Sequence, residues 1–228
     1  MKKTTIIILL IIVATITKAQ NYYLAGDSCF QAGDYQKSIM YFEKFLAQLE
    51  TQNQGRSFDY AKILVLESDS YLALSDLENS LKVCLKADSI MRECKQEKSD
   101  FAFKCYMNLA EAYGKKSDNE NVIKYFLMSL PLIENVAGKD SQAEAQITQN
   151  LGYLYYNKEN YPKAFEYLTQ ASRLLEKLYG ENSEEYIQCV YDISQVCYGN
   201  SDIKKTMEYT EKYVLLAKNN NQEDFCAR

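Results

Sequence analysis

The chain lacks histidine and tryptophan, and its 228 residues include only two prolines and eight glycines. Without histidine it cannot form Ser-His-Asp or Cys-His nucleophiles or a His-Glu-x-x-His zinc site. It also has no Gly-rich loop to cradle phosphate. Its paired carboxylates, such as Glu184-Glu185 and Asp118 with Glu120, are of the kind that more often lie solvated on helices than act as acid–base catalysts. We therefore expect no catalytic residues, no metal site, no cofactor and no enzymatic activity.

Scarce proline and glycine, with abundant Leu, Ala, Glu, Lys and Gln, favour helices joined by short turns. A hydrophobic content of 47% is enough to bury a core, which argues against disorder. Acidic residues outnumber basic ones by 31 to 26. Because nucleic acids and anionic membranes attract clustered Lys and Arg, this balance argues against both as partners.

The N-terminus has the layout of a secretory signal, which we assign to residues 1–19. Lys2-Lys3 precede an apolar run from Ile6 to Val13, and cleavage after Ala19 would leave Gln20 first. No cysteine directly follows the run, so the lipoprotein type of signal is not supported. We expect a protein exported to the periplasm or out of the cell.

The alternative is a retained membrane anchor, but the uncharged stretch from Thr4 to Thr17 is shorter than the ~20 residues that a spanning helix needs. After cleavage we expect no membrane insertion.

Seven cysteines in an exported chain suggest either a disulfide framework or buried thiols. The odd count and the absence of CxxC spacing favour buried thiols. Cys29, Cys84 and Cys197 fall on core positions of the repeat described next, and Cys226 is expected to be free and exposed.

A period of 42 residues is visible in several columns of the sequence. One column holds small residues, which let two helices approach closely: Gly26, Ser68, Ala110, Gly152 and Ser194. Eight residues further on, a column of acids and one amide is typical of helix N-caps: Asp34, Asp76, Asp118, Asn160 and Asp202. The pattern predicts helical hairpins. Pro162 suits the first turn of a helix, whereas Pro131 predicts a kink in the second helix of the third repeat.

The residues of the fourth repeat resemble the tetratricopeptide pattern: Leu151-Gly152, Tyr155, Asn160-Tyr161, Ala164, Leu168 and Ala171. The 42-residue period and the connector from Tyr179 to Ser183 are similar to the long repeats of kinesin light chains. The resemblance implies an all-α, right-handed superhelix of about five helix-turn-helix repeats. We assign residues 20–218 to this domain, with a tail at 219–228 and repeats at approximately 20–57, 58–99, 100–141, 142–183 and 184–218.

In this family the first helices of the repeats line a concave groove, and the resemblance implies that a peptide or protein partner binds there. By the same resemblance, Asn108 and Asn150 share a column that in peptide-binding members of the family often carries an asparagine in contact with the ligand backbone. The candidates richest in tyrosine and amides, which suit an extended peptide, are Asn108, Gln149, Asn150, Tyr153, Tyr156, Gln188, Tyr191, Gln195 and Tyr198. Alternatively, the tyrosines pack between helices and the amides face water. The wider set of groove positions includes Asp192. The only cations in that set are Lys62 and Lys104, so no clamp of cations for a peptide carboxylate is evident.

The C-terminal end offers a second functional hypothesis. The residues after the last helix are too few for a capping helix, which predicts an uncovered apolar strip of Ile203, Met207, Val214 and Leu216. The strip predicts self-association, a partner docked on that end, or a chain cut short. The chain also resembles the exported repeat region of Bacteroides-like tetratricopeptide proteins, and the resemblance implies that a caspase-like protease domain often follows such an array. The main expectation is an exported scaffold or adaptor, and the alternative is an oligomerising or sensor module, including the N-terminal part of a larger protease-bearing protein.

Overall fold

A computed structural model describes residues 20–220, and every regular element in that range is helical. The predicted signal peptide and Cys226 lie outside the described residues. The first described helix, α1, covers residues 20–31. The others are α2 (Tyr35–Thr51), α3 (Phe58–Ala73), α4 (Leu77–Glu93), α5 (Asp100–Lys115), α6 (Asn119–Ser129), α7 (Ile133–Ala137), α8 (Gln142–Asn157), α9 (Tyr161–Tyr179), α10 (Glu184–Gly199) and α11 (Ile203–Asn219).

The helices form consecutive hairpins, which confirms the predicted all-α repeat fold. Within each repeat a first helix is followed by a second: α1 and α2, α3 and α4, α5 and α6, α8 and α9, and α10 and α11. The chain divides into two compact units, with the boundary after Tyr125 inside α6. The first unit holds α1 to α5, and the second holds α7 to α11.

The predicted N-caps are confirmed at the start of every second helix. The Asp34 carboxylate accepts a hydrogen bond from the Lys37 N–H at 3.2 Å, and Asp76, Asp118, Asn160 and Asp202 make the equivalent bond. The residue before each cap has left-handed backbone geometry: Gly33, Ser75, Ser117, Glu159 and Ser201. A further column at the 42-residue spacing was not predicted, because it caps the first helices instead: Ser57, Ser99, Ser141 and Ser183.

The small column makes the close helix crossing that its residues predict. A Cβ on Gly26 would lie 2.7 Å from the Phe42 ring, and one on Gly152 would lie 2.6 Å from Leu168. At Ser68 the hydroxyl is hydrogen-bonded across the pair, with the Ser68 and Ser80 oxygens 2.9 Å apart, whereas Ser194 Oγ donates to Tyr191 O of its own helix at 2.7 Å. These three crossings therefore depend on contacts that only small side chains permit.

Both prolines act as predicted. Pro162 occupies the first turn of α9. Pro131 lies in the 3-10 turn Leu130–Leu132, which separates α6 from α7 and so interrupts the second helix of the third repeat.

The cysteines of the described range are free thiols. Cys84 and Cys197 are buried as predicted, whereas Cys29 is only half-buried. No helix within residues 20–220 is long and apolar enough to cross a membrane.

The apolar strip predicted on the last helix needs one correction. Ile203 is 74% exposed and Met207 is also exposed, but Leu216 is buried. Its neighbour Leu215 is exposed instead, because α11 turns Leu216 inward beside the buried Ala217. Val214 is half-buried.

Candidate binding surface of the fourth and fifth repeats

Eight of the predicted site residues lie on α8 and α10, the first helices of the fourth and fifth repeats. Both helices begin at a serine cap and run for four turns, so residues three or four apart share a face. Asn150, Tyr156, Tyr191 and Tyr198 are exposed, with Tyr198 at 74%. Gln149, Tyr153, Gln188 and Gln195 are half-buried.

A chain of hydrogen bonds joins three of these half-buried residues, Gln149, Tyr153 and Gln188, through Asp192 and links α8 to α10. Gln149 Nε2 donates to Tyr153 Oη at 3.0 Å, and the Tyr153 hydroxyl donates to Asp192 Oδ2. Gln188 Nε2 donates to the other carboxylate oxygen, Asp192 Oδ1, at 3.0 Å. Tyr153, Asp192 and Gln188 are called the Asp192 node below. It fixes the register between the two helices.

Burial dominates the titration of the node. It raises the pKa of the Tyr153 hydroxyl, and the bond to Asp192 raises it further. Burial also raises the pKa of Asp192, and the bonds from Tyr153 and Gln188 act in the opposite direction. Both effects follow from withdrawing a charged form from water.

The exposed tyrosines of the surface are partly held by other rings. The Tyr191 ring lies 5.1 Å from that of Tyr213 on α11. The Tyr156 ring meets Tyr161 edge-on at 5.9 Å. Gln195 Nε2 lies 3.5 Å from Ser194 Oγ, a long bond within its own helix. The two ring pairs hold Tyr156 and Tyr191 in place while leaving part of each ring accessible.

Asn108, the remaining predicted site residue, does not join this surface. It is only 8% exposed, and its amide nitrogen donates to Asp69 Oδ1 at 2.7 Å, with longer contacts to Val65 O and Ser68 Oγ. Its amide is thus used to bind α5 to α3 within the first unit. Asn108 is therefore held between two helices, whereas Asn150, at the same repeat position, is exposed.

The first unit contains a counterpart of the Asp192 node at the same repeat positions. Asp69 accepts from Asn108, and its other oxygen, Oδ2, lies 2.6 Å from Lys104 Nζ. Both nodes tie the first helix of one repeat to that of the next. They differ in charge, because only the first-unit node contains a cation.

Sequence comparison supports the repeat assignment. A profile of the tetratricopeptide repeat matches residues 101–177 and 141–212, and a second tetratricopeptide profile matches residues 19–47. Together the matches span more than half of the chain. The chain belongs to the tetratricopeptide repeat family. No curated protein sequence matches this tetratricopeptide repeat protein.

Solved structures share the fold at low sequence identity. A putative kinesin light chain from Podosopora anserina with nearly identical TPR-like repeats aligns with a TM-score of 0.65 and 12% identity, over 89% of this chain and 96% of that one. BtubC (BKLC) from P. vanneervenii aligns with a TM-score of 0.62 and 17% identity, over 92% and 83%.

A third solved structure was determined with a peptide. It is the Rap conjugation gene regulator of plasmid pLS20 in complex with the Phr* peptide, which aligns with a TM-score of 0.53 and 20% identity. The alignment covers 92% of this chain and 55% of the regulator. At such identities these likenesses describe the fold alone.

Proposed function

We propose that the protein is an exported scaffold that binds an extended segment of a partner protein along α8 and α10. The observation that carries the proposal is the set of exposed aromatic and amide side chains on these two helices: Asn150, Tyr156, Tyr191 and Tyr198. Solenoid repeats of this kind build long open surfaces, and their function lies in what those surfaces hold.

The side chains suit a peptide in extended conformation. Its backbone presents unpaired N–H and C=O groups, and the Asn150 amide can satisfy one of each. Tyrosine offers a large apolar face with a polar tip at a small cost in side-chain entropy. Because Tyr156 and Tyr191 already pack on other rings, less freedom is lost when a partner binds.

Two further parts of the proposal, the peptide partner and the export, are supported by a similar solved structure and by the N-terminal residues. The Rap regulator shows a related fold holding a peptide, which suggests the same class of partner for this chain. The signal-like residues 1–19 suggest that binding takes place outside the cytoplasm. Sequencing the N-terminus of the protein recovered from its host tests the export step.

Peptide selection tests the binding function. We would display a library of random 12-residue peptides on phage, select on the immobilised protein, and measure the enriched sequences as fluorescent peptides by anisotropy. Since interface residues that matter contribute more than about 1 kcal/mol each, the triple variant Asn150→Ala, Tyr156→Ala, Tyr198→Ala should weaken binding by about 100-fold. These three side chains lie outside the Asp192 node, so the fold should remain intact.

A matched control uses exposed apolar side chains away from the two helices. Leu178 and Tyr179, at the end of α9, are exposed to a similar degree as Tyr156. The double variant Leu178→Ala, Tyr179→Ala should bind the selected peptides as the unmodified protein does. Selection that enriches no peptide, or enriched peptides that bind the triple variant normally, would contradict the proposal.

A second candidate function is self-association through α11. It is favoured by the exposed apolar residues Ile203, Met207 and Leu215 on that helix. Exposed apolar side chains on one helix are typical of contact sites between proteins.

A further inference from the structure

The first helices of the repeats differ in charge content. Neither α8 nor α10 contains a lysine or arginine, and nor does α1, whereas α3 contains Lys62 and α5 contains Lys104 and Lys115. The acidic residues of α8 and α10 are Glu144, Glu184, Glu185 and Asp192. Of these, Glu144 is used within its own helix end, where it accepts from the Asp140 N–H at 3.1 Å. The candidate surface is thus acidic and has no cation on the helices that form it.

The two nodes show where a cation is missing. In the first unit, Asp69 receives the Asn108 amide on Oδ1 and the Lys104 ammonium on Oδ2. In the second unit, the position of Lys104 is taken by Gln188, which donates from a neutral amide. The carboxylate itself moves from the position of Asp69 to that of Asn108, where Asp192 stands. Otherwise the two nodes use the same repeat positions.

Asp192 retains acceptor capacity that its neighbours do not fill. A carboxylate has about four lone-pair sites, and each Asp192 oxygen accepts one hydrogen bond from a described residue, Oδ2 from Tyr153 and Oδ1 from Gln188. The two described side chains that lower the pKa of Asp192, Tyr153 and Gln188, are both neutral. For Asp69, by contrast, the cation Lys104 lowers the pKa. A partly buried carboxylate that lacks a countercharge favours an incoming cation with hydrogen-bond donors.

We propose that the partner segment presents a lysine or arginine side chain to Asp192, in the role that Lys104 plays toward Asp69. This inference rests on the proposed peptide-binding function. Glu184 and Glu185 in the exposed first turn of α10 add negative charge to the same helix, so an acidic segment is disfavoured. The partner is therefore a neutral-to-basic extended segment with a basic residue at one fixed position.

The composition of the selected peptides tests this inference. The peptides enriched on the unmodified protein should align with Lys or Arg at one position, and replacing that residue by Met should weaken binding about 10-fold or more. Against Asp192→Asn, the Lys and Met peptides should bind equally. Asparagine keeps an acceptor for Tyr153, and thermal unfolding monitors the fold of the variant.

A second variant moves the missing cation into the protein. Gln188→Lys places an ammonium where Lys104 stands in the first-unit node, so it should pair with Asp192 and abolish the preference for the basic peptide. Asp192→Asn removes the carboxylate, whereas Gln188→Lys keeps it and neutralises its charge. If both variants lose the preference for the Lys peptide, the role of Asp192 is electrostatic.

The outcomes separate the two proposals. If peptides are enriched and depend on Asn150, Tyr156 and Tyr198, but show no basic position or an acidic one, the inference about the cation is wrong and the binding function stands. A preference for the Lys peptide that survives in Asp192→Asn also overturns it. If no peptide is enriched, both proposals fail.

Discussion

At the residue scale, the least expected feature is a buried carboxyl group. Glu67 on α3 is only 3% exposed, and burial raises its pKa to about 7, with the nearby Glu43 acting in the same direction. The Tyr71 hydroxyl, Lys82 and Lys86 oppose this shift. No sequence pattern indicates it, because glutamate on a helix is ordinarily solvated.

The sign of the pH effect follows from the raised pKa. Between the ordinary glutamate value of 4.5 and about 7, the folded protein binds a proton at Glu67 that the unfolded chain has lost. The contribution of this group to stability is therefore complete below about pH 4.5 and falls as the pH rises to about 7.

Glu67→Gln should remove this dependence. The amide cannot ionise and can still accept from Tyr71, so at pH 8 the variant should have a free energy of unfolding up to about 3 kcal/mol above that of the unmodified protein. At pH 4.5 the difference should nearly vanish. Urea denaturation at both pH values measures it, with the exposed Glu166→Gln as control. An equal difference at both values would show that Glu67 ionises normally.

At the element scale, the hairpin depends on a close crossing and a tight turn. The crossing follows directly from the small column, and the turn follows from the Asp or Asn cap. The left-handed residue before the cap is less predictable, because four of the five are Ser or Glu rather than Gly. Left-handed geometry costs a non-glycine residue roughly 1–2 kcal/mol, and here the packing of two helices imposes it.

Two helical glycines should respond in opposite ways to the same substitution. At Gly152 an added Cβ would lie 2.6 Å from Leu168 Cγ and 3.3 Å from its backbone nitrogen, so Gly152→Ala should destabilise the protein by about 1–3 kcal/mol. At Gly114 the Cβ would meet only Val122 Cγ2 at 3.8 Å, so Gly114→Ala should stabilise it by about 0.5–1 kcal/mol.

Thermal or urea unfolding followed by circular dichroism distinguishes the two glycine variants. Because both change glycine to alanine inside a first helix, helix propensity alone predicts stabilisation in both. Stabilisation by Gly152→Ala would mean that the α8–α9 crossing has room to relax.

At the scale of the whole molecule, charged and apolar surfaces are distributed unevenly among the repeats. Among residues 126–220, the cations lie outside α8 and α10, on second helices and in connectors. The last helix, α11, instead presents Ile203, Met207 and Leu215 to solvent. The candidate peptide surface and the apolar face therefore belong to different helices and can be tested separately.

Self-association through α11 should appear as a mass that rises with concentration. At high concentration, multi-angle light scattering should give an average molar mass above that of one chain. Two copies should associate because contact between their α11 helices removes these apolar side chains from water. Ile203→Lys, Met207→Lys and Leu215→Lys together should return the protein to one chain without changing peptide binding. A mass that stays at one chain across the concentration range would remove this candidate function.

The sequence by itself determined the helices, their turns, the 42-residue period and the kink at Pro131. These features arise from contacts within one hairpin, where a cap, a small residue or a proline acts on the next turn or the facing helix. Only the tertiary structure decided which polar side chains are buried and which are exposed. Asn108 and Asn150 share a repeat position, yet packing between successive first helices buries one and exposes the other. Likewise, the Asp192 node depends on residues 39 positions apart, Tyr153 and Asp192, that meet only when one repeat stacks on the next.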